Sequence, residues 1–353
     1  MKIRIGERWI GDGAPLYFIA DIAANHDGDL GRAFRLIELA KESGADAAKF
    51  QNFKAAKIVS RRGFEALGGS LSHQRSWKKP VYEVYEDASL DDAWTEKLKK
   101  HCLDVGVEYL TSPYDFESVD QVDPYLNSYK IGSGDITWPE IVAYIGRKGK
   151  PVFLATGAAG IEEVSRAMQV LMAVNTQIVL MQCNTNYTGS AENFKYINLN
   201  VLKTYATMFP QVLLGLSDHT PGHATVLGAV ALGAHVFEKH FTDDRGREGP
   251  DHKFSVLPSE WKEMVARAAE VYAALGDGIK RIEANESQTS IVQKRALCYA
   301  LDLKRGSMLK AEDFFPLRPI PPGAMAPYEM GEVLGKKLMR DVQAWESVMR
   351  GDV

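Results

Sequence analysis

The sequence has few cysteines, no long apolar run and little excess charge. Its three cysteines, Cys102, Cys183 and Cys298, are far apart, which excludes a disulfide framework and a C-x-x-C zinc motif. No apolar run approaches the roughly 20 residues that cross a bilayer. With a formal net charge of −4 and no long basic stretch, nucleic acid is not an expected partner. The polar N-terminal stretch is no signal peptide and favours a short hairpin, so we expect a soluble cytoplasmic protein.

From Tyr17 onward, short apolar runs alternate with longer amphipathic segments. The segment 29–44 is typical of the latter, because Asp29 is suited to cap the start of a helix and Gly44 to end it. Eight strand–helix pairs within roughly 250 residues predict an α/β fold, a (β/α)₈ TIM barrel. The apolar runs are 17–23, 46–51, 108–112, 128–133, 151–156, 177–183, 212–217 and 235–241.

The chain is predicted to contain two domains. Residues 1–275 carry the barrel, the polar residues 276–293 read as a linker, and residues 294–353 are rich in turns without helical periodicity. Within the barrel, residues 55–87 form a long connection after the second strand. Long connections are usually functional or mobile, and one that follows a barrel strand lies on the active-site face.

Polar residues occur at the carboxyl ends of the predicted strands, often two positions apart. A lone lysine or histidine at a strand end is most often structural, but the same polarity recurs at seven of the eight strands. Because side chains alternate in and out along a barrel strand, such a set indicates one shared site. Its main members are Asp21, Lys49, Gln51, Ser112, Lys130, Ser133, Asp135, Thr185, Tyr187, Ser217, His219, Glu238 and His240.

These residue types favour a phosphate site beside a metal site. Lys49 and Lys130, with serine and threonine hydroxyls and a glycine-rich backbone, suit a phosphate. His219 and His240 lie on neighbouring predicted strands and are suited to share one divalent metal, with positions left for water or substrate. Two imidazoles without thiolates suit Mn²⁺, Fe²⁺, Co²⁺ or Zn²⁺, and Mg²⁺ if oxygens complete the shell. Carboxylates for acid–base work or hydroxyl binding are Asp21, Asp135, Glu238 and Asp251.

The sequence resembles the sialic acid (N-acetylneuraminate) synthase family over nearly its whole length. The motifs that carry the resemblance are IADIAANHDG, DAAKFQ, YKIGSGD, GLSDHTPG, EKHFT and GPDHKFS, and the last 60 residues resemble the family's antifreeze-like (SAF) domain. The resemblance implies a transferase that condenses phosphoenolpyruvate with an N-acetylmannosamine-type sugar and releases phosphate by C–O cleavage. It further implies a domain-swapped homodimer and a divalent metal, with Mn²⁺ expected first and Mg²⁺ or Co²⁺ as alternatives.

The resemblance also assigns roles to individual positions. Phosphoenolpyruvate would contact Lys49, Ser112, Lys130, Ser133, Thr185 and Ser217. The sugar would contact Asp21, Gln51, Tyr187 and Asp251, together with Arg318 from the partner subunit. The metal would be held by His219 and His240, and the catalytic residues would be Asp21, Lys49, Lys130 and Asp135.

The chain departs from the family pattern at several positions. Asp21 stands where the family usually has glutamate, Ala155 replaces a serine, and the motif QCNTNYTG differs after the sixth strand. One alternative acceptor is a 6-deoxy-diacetamido hexose, which would yield legionaminic or pseudaminic acid. A second alternative is an aldose phosphate, as in the 3-deoxy-octulosonate 8-phosphate synthases, with Arg61, Arg62 and Arg75 as its basic site. The third is a catalytically silent sugar-binding or scaffold relative.

Overall fold

The eight apolar runs form the eight strands of one parallel sheet, as predicted. The structure, a computed structural model, describes residues 1–68 and 71–353. A short antiparallel hairpin, β1 and β2, precedes the sheet, and a separate strand pair, β11 and β12, follows it. The strands are β1 Lys2–Ile5, β2 Arg8–Gly11, β3 Tyr17–Asp21, β4 Ala47–Asn52, β5 Glu108–Pro113, β6 Tyr129–Ile131, β7 Val152–Ala155, β8 Ile178–Cys183, β9 Leu213–Asp218, β10 Ala234–His240, β11 Ala296–Tyr299 and β12 Phe314–Leu317.

The sheet curls into a nearly closed barrel. Ladders join the strands in the order β5-β4-β3-β10-β9-β8-β7-β6, and the end strands β5 and β6 also contact each other. Apolar side chains fill the interior, where Tyr17 stacks on Phe153 at 6.2 Å between ring centroids. Ile3, Ile5 and Ile10 of the hairpin belong to the same buried cluster. The hairpin therefore closes the amino-terminal end of the barrel and leaves the carboxyl ends of the strands for a site.

Among the described residues, α1 (Leu30–Glu42) and the seven helices α5 to α11, within 95–274, surround the barrel and bury one face each against it. In α1 the Asp29 carboxylate accepts a hydrogen bond from the amide of Arg32, and Gly44 follows at φ +92°, so both predicted end signals are confirmed. No helix among the described residues is long and apolar enough to span a bilayer. The helices are α1 Leu30–Glu42, α2 Ala55–Ile58, α3 Arg61–Ala66, α4 Val81–Ala88, α5 Thr95–Val105, α6 Phe116–Val122, α7 Pro139–Gly146, α8 Ile161–Met172, α9 Val201–Met208, α10 Ala224–Ala231, α11 Pro258–Ala274 and α12 Ser287–Gln293.

The connection 55–87 is more ordered than its sequence indicates. It contains the three short helices α2, α3 and α4 and a 3₁₀ turn at Ser72–Ser76. Residue contacts divide the chain into Met1–Leu275 and Gly276–Val353. The second unit has its own apolar core, which includes Leu297, Tyr299 and Leu309. The segment 276–293 differs from a plain linker because it contains α12.

Candidate active site

A cavity of about 400 Å³ lies at the carboxyl ends of the barrel strands. Parallel barrels expose strand-end residues on this face, and the period of two points them inward. Thr185 and Arg318 are the predicted site residues that are absent from its described lining. The predicted residues that line it are Asp21, Lys49, Gln51, Ser112, Lys130, Ser133, Asp135, Tyr187, Ser217, His219, His240 and Asp251.

Lys49 of β4 and Asp21 of β3 form a buried ion pair inside the cavity. The Lys49 ammonium lies 2.7 Å from Oδ2 of Asp21, and each side chain is only 2 % exposed. Burial raises the pKa of the Asp21 carboxyl, and Lys49 offsets part of that effect. Burial alone would lower the pKa of Lys49, but Asp21 and Glu238 raise it above its ordinary value. Lys49 is therefore a charged ammonium that faces the cavity.

Lys130 of β6 lies across the barrel from β10 and pairs with Glu238 of that strand. The Lys130 ammonium is 3.3 Å from Oε1 of Glu238, and the Ser217 hydroxyl donates to the same oxygen at 3.1 Å. Burial opposes ionisation of Glu238, yet Lys130 and then Lys49 lower its pKa to about 2. The sequence predicts Glu238 as a member of the shared site, two positions before His240, but the family resemblance gave it no individual role.

The two predicted metal ligands, His219 and His240, lie side by side with ring centroids 5.4 Å apart. Burial lowers the pKa of each to about 4, so both imidazoles are neutral at pH 7 and keep a lone pair. Nδ1 of His219 donates to the carbonyl of Asn184 at 2.8 Å, which leaves Nε2 as the basic nitrogen. This is the state that a divalent metal requires, and the donor set fits one.

The described residues contain no cluster of three or more histidine, cysteine, aspartate or glutamate side chains arranged around one metal position. The two histidines would therefore share the ion with substrate or water oxygens. Several buried atoms at this place also lack a hydrogen-bond partner among the described residues, namely Oδ1 of Asp21, Oε2 of Glu238, Nδ1 of His240 and Oγ of Ser112. Buried polar atoms are normally paired, so this group indicates a bound ligand.

Asp135 lies at the cavity without a paired lysine. Burial raises the pKa of its carboxyl to about 7, with Lys130 opposing the shift. A carboxyl group that titrates near neutral pH is suited to give or take a proton. Nearby, the Ser133 hydroxyl accepts a hydrogen bond from the amide of Gly157 at 2.9 Å, and Asp251 accepts one from the amide of Ala24 at 3.2 Å.

Two predicted site residues, Thr185 and Arg318, do not belong to the described lining of the cavity. Thr185 packs against Gly157, where an added Cβ would lie only 2.3 Å from its methyl group. Arg318 is exposed in the second unit and forms no hydrogen bond or ion pair with any described residue. The roles predicted for both remain predictions.

Several lining residues were missed by sequence reasoning. Tyr114 stands two positions after Ser112, so the alternation of side chains points both to the same side, and this spacing could have identified Tyr114. Cys183 ends β8, and burial raises the pKa of its thiol. Phe53 and four residues of the connection, Ile58, His73, Trp77 and Tyr85, had no periodic signal. All of these residues line the cavity.

Residues 36–280 match the NeuB family, and residues 294–353 match the SAF domain. The chain belongs to the NeuB family. This confirms the resemblance seen in the motifs, and the barrel followed by a SAF domain confirms the expected fold.

Three relatives illustrate what this NeuB-family chain is similar to. It is 34% identical to an N,N'-diacetyllegionaminic acid synthase of Campylobacter jejuni, over 90% of this chain and 94% of the relative. It is 29% identical to the human N-acetylneuraminate-9-phosphate synthase, over 97% and 94%. The structure of an N-acetylneuraminic acid synthetase from Leptospira borgpetersenii superposes with a TM-score of 0.72 at 26% identity, covering 82% of this chain and 95% of that one.

Proposed function

We propose that the protein is a nonulosonic acid synthase that condenses phosphoenolpyruvate with an N-acetylmannosamine-type sugar. The observation that carries the proposal is the cavity itself, where two buried lysines, two neutral histidines and two carboxylate oxygens without a hydrogen-bond partner among the described residues face one space. The family membership and the acid synthases among the relatives support the same reaction class.

The reaction forms one carbon–carbon bond and releases phosphate. Carbon 3 of phosphoenolpyruvate attacks the aldehyde carbon of the open-chain sugar, and the aldehyde oxygen takes a proton. Water adds at carbon 2 and loses a proton, the bond from carbon 2 to the bridging oxygen breaks, and phosphate leaves as the keto group forms. In this proposal Lys49, Lys130, Ser112, Ser133 and Ser217 hold the phosphate and carboxylate.

Proton transfers are assigned to two carboxyl groups. Asp21, or a water that it holds, activates the water that adds at carbon 2. Asp135, whose pKa is raised to about 7, exchanges a proton with the reacting oxygens. Gln51, Tyr187 and Asp251 hold the sugar hydroxyls and acetamido group.

The charge of the cavity supports a divalent metal. Lys49 is paired with Asp21, and Lys130 is paired with an ionised Glu238, so the two lysines are largely neutralised before an anionic substrate enters. Phosphoenolpyruvate therefore needs additional positive charge. His219 and His240 would hold that metal, expected to be Mn²⁺, and a bound metal would polarise the carbonyl oxygen of the acceptor.

The test measures phosphate release from phosphoenolpyruvate with Mn²⁺ and N-acetylated hexoses, with mass spectrometry of the product. Phosphoenolpyruvate labelled with ¹⁸O at the bridging oxygen should yield labelled phosphate, because C–O cleavage leaves that oxygen on phosphorus. Label in pyruvate or in the sugar product would instead show P–O cleavage and contradict the proposal. Absence of any acceptor-dependent release would favour the silent sugar-binding relative.

We also propose that Arg318 completes the sugar site of a partner subunit in a homodimer. Its exposed guanidinium has no partner among the described residues, and a domain exchange is a low-cost route to a closed dimer. Mixing Arg318→Ala with Lys49→Ala creates heterodimers in which one site carries both changes and the other carries neither. Activity should recover after subunit exchange toward about half of wild type per heterodimer, whereas a mixture that exchanges but stays inactive would place Arg318 in its own subunit's site or outside catalysis.

A further inference from the structure

A buried histidine, His252, joins two loops beside the cavity. It directly follows Asp251, which lines the cavity and is proposed to hold the sugar. The His252 side chain is fully buried, and both of its ring nitrogens are hydrogen-bonded. Nε2 lies 2.8 Å from Oδ1 of Asp27, and Nδ1 lies 2.8 Å from the hydroxyl oxygen of Thr242. Because a carboxylate only accepts hydrogen bonds, Nε2 carries a proton and donates to Asp27.

Asp27, the acceptor of this hydrogen bond, is itself fixed through its other carboxylate oxygen. Nε of Arg247 donates to Oδ2 of Asp27 at 2.7 Å, and Nε of Arg32 lies 3.1 Å from the same oxygen. The backbone of Asp27 has a φ of +53°, in the left-handed region that aspartate tolerates better than most residues. The Asp27 carboxylate is therefore a fixed anchor for the imidazole of His252.

The same two loops are joined a second time, at Asp251 itself. The amide of Ala24 donates to Oδ2 of Asp251 at 3.2 Å, which is the one hydrogen bond that the described residues give this side chain. Ala24 lies three residues before Asp27, and Asp251 directly precedes His252. The two hydrogen bonds thus close a ring between the loops. This ring holds Oδ2 of Asp251 at 3.9 Å from Nδ1 of His240.

Asp27, His252 and Thr242 are bonded in the order of a catalytic triad, but they have no access to a substrate. The side chains of His252 and Thr242 are fully buried, and none of the three residues lines the cavity. A buried group that cannot touch a substrate acts on it only through a neighbour. The neighbour of His252 that faces the cavity is Asp251.

We infer that Asp27 and His252 are positioning residues, which fix the direction of the Asp251 carboxylate toward the acceptor sugar. Hydrogen bonds weaken steeply as their angle worsens, and misplacing a substrate by about 1 Å can cost about a hundredfold in rate. The inference rests on the proposed function and adds two residues that lie outside the cavity. Its effect should fall on the sugar, because phosphoenolpyruvate is proposed to contact other residues.

The first experiment measures steady-state phosphate release with the N-acetylated hexose that gives the highest wild-type rate. His252→Phe keeps a planar ring but removes both ring hydrogen bonds. It should raise the KM for the sugar about tenfold or more and leave the KM for phosphoenolpyruvate near wild type. His252→Gln, whose amide can still donate to Asp27, should restore much of the sugar affinity.

A merely structural role gives a different kinetic result. Loss of folded protein in His252→Phe would lower the active fraction, and so kcat, without changing either KM. That result, or equal changes in the KM values for the sugar and for phosphoenolpyruvate, would overturn the inference.

Two further variants provide a fallback and a matched control. Asp27→Gly removes the anchor, and glycine adopts a φ of +53° without strain, so this variant tests the contact if His252→Phe does not fold. Unchanged KM values in folded Asp27→Gly would contradict the inference. His235→Phe is the control, because His235 is a partly buried histidine of β10 that lies 3.8 Å from Asp12, near the amino end of that strand. It should leave both KM values unchanged, and a rise in sugar KM equal to that of His252→Phe would also contradict the inference.

A double-mutant cycle tests whether His252 acts through Asp251. Asp251→Ala should raise the KM for the sugar by removing the carboxylate. Adding His252→Phe to Asp251→Ala should raise this KM no further, because the group that His252 positions is already absent. Additive increases in the double variant would show that His252 acts by another route and would overturn the inference.

A binding measurement separates this inference from the proposed function. In a titration followed by saturation-transfer NMR, the Kd of N-acetylmannosamine should be about tenfold higher for His252→Phe than for wild type. Equal Kd values would overturn the inference while the proposed function stands. If wild type binds the sugar but turns over no acceptor, the proposed function fails, and the higher Kd of His252→Phe would still support the inference. A wild-type protein that neither binds nor turns over the sugar would remove both.

Discussion

Two of the buried lysine–carboxylate pairs of the barrel lie on opposite faces of its strands. Lys49 and Asp21 point inward and line the cavity, with each side chain 2% exposed. Lys239 and Asp218 point outward toward α10, with exposures of 1% and 0%. Burial and charge are therefore nearly the same in the two pairs, and neither property distinguishes a functional pair from a structural one.

The two pairs differ in how completely their atoms are bonded. Oδ1 of Asp218 accepts from the amide of Thr220, and Oδ2 accepts from the hydroxyls of Thr220 and Thr225 as well as from Lys239. Lys239 also donates to the carbonyl of Thr220 at 2.6 Å. By contrast, Oδ1 of Asp21 has no hydrogen-bond partner among the described residues. The fully hydrogen-bonded Asp218 pair is suited to stabilise the fold, whereas the Asp21 pair keeps an oxygen that a ligand can contact.

The outer pair, Lys239 and Asp218, is also placed to position the two proposed metal ligands. Asp218 directly precedes His219, and Lys239 directly precedes His240. Because side chains alternate along a strand, fixing the outward residue fixes the direction of its inward neighbour. The buried pair between β9 and β10 therefore holds the two imidazoles in register.

The largest expected effect is the loss of activity when the proposed metal ligands on the inner face of the barrel are replaced. His219→Ala or His240→Ala should reduce synthase activity to background and abolish its dependence on Mn²⁺, because both neutral imidazoles are needed to hold the ion. The free energy of unfolding of the metal-free protein should change little. Binding of Mn²⁺ to the variants is measured by calorimetry beside the activity. Wild-type activity that survives exhaustive chelation would contradict the metal assignment.

The next effect concerns stability and the outer pair. Asp218→Ala leaves the Lys239 ammonium buried without its partner, and such losses cost about 3–5 kcal/mol. Urea unfolding of the metal-free protein measures the change. The double variant Asp218→Ala/Lys239→Met serves as control and should recover much of the stability, because it removes the stranded charge. If Asp218→Ala lowers the free energy of unfolding by less than about 1 kcal/mol, the Lys239–Asp218 pair is not a structural pair of the kind argued here.

The inner pair should show the reverse pattern, with catalysis affected more than folding. Lys49→Met removes a charged contact to phosphoenolpyruvate worth about 1.5–3 kcal/mol, which is about ten- to a hundredfold in kcat/KM. The KM for the sugar should change far less. The loss of stability should be smaller than in Asp218→Ala, because burial raises the pKa of the Asp21 carboxyl, which can take up a proton once Lys49 is gone. Lys203→Met, on the exposed face of α9, is the control. An equal loss for both substrates would count against the phosphate assignment.

The barrel and the inner residues could be predicted because they depend on local patterns. Alternating apolar runs and end signals such as Asp29 and Gly44 indicate strand–helix units, and the period of two places Lys49, Gln51 and Ser217 on one face. Residues at corresponding strand ends then meet in one cavity without any long-range information. The family resemblance added roles to these positions, which the described structure brings together.

The rest depends on contacts between distant segments. Trp77 and Tyr85 line the cavity from the connection 55–87, where they follow no periodic pattern, so only the folded connection brings them to the cavity. The same holds for Lys239. Its outward position follows from the alternation of side chains, but its contact with Thr220, in the loop after β9, could not be predicted from the sequence. The helix within 276–293 was missed because its seven residues are too few to show a helical period.

The last prediction concerns Asp135 on the inner face of the barrel and the dependence of stability on pH. Burial raises the pKa of the Asp135 carboxyl to about 7 from its ordinary value of 3.8. A raised pKa means that the folded state binds this proton more tightly, so its contribution to stability is present below about pH 4 and is lost as the pH rises through 7. Asp135→Asn removes the titration, and the ligand-free variant should therefore gain stability relative to wild type between pH 5 and pH 8. Urea midpoints of both proteins across that range measure the difference.

Asp302→Asn, at an exposed carboxylate of the second unit, is the control and should give no such trend. A constant difference between wild type and Asp135→Asn at all pH values would show that Asp135 is already ionised in the folded protein and does not carry the near-neutral proton of the site.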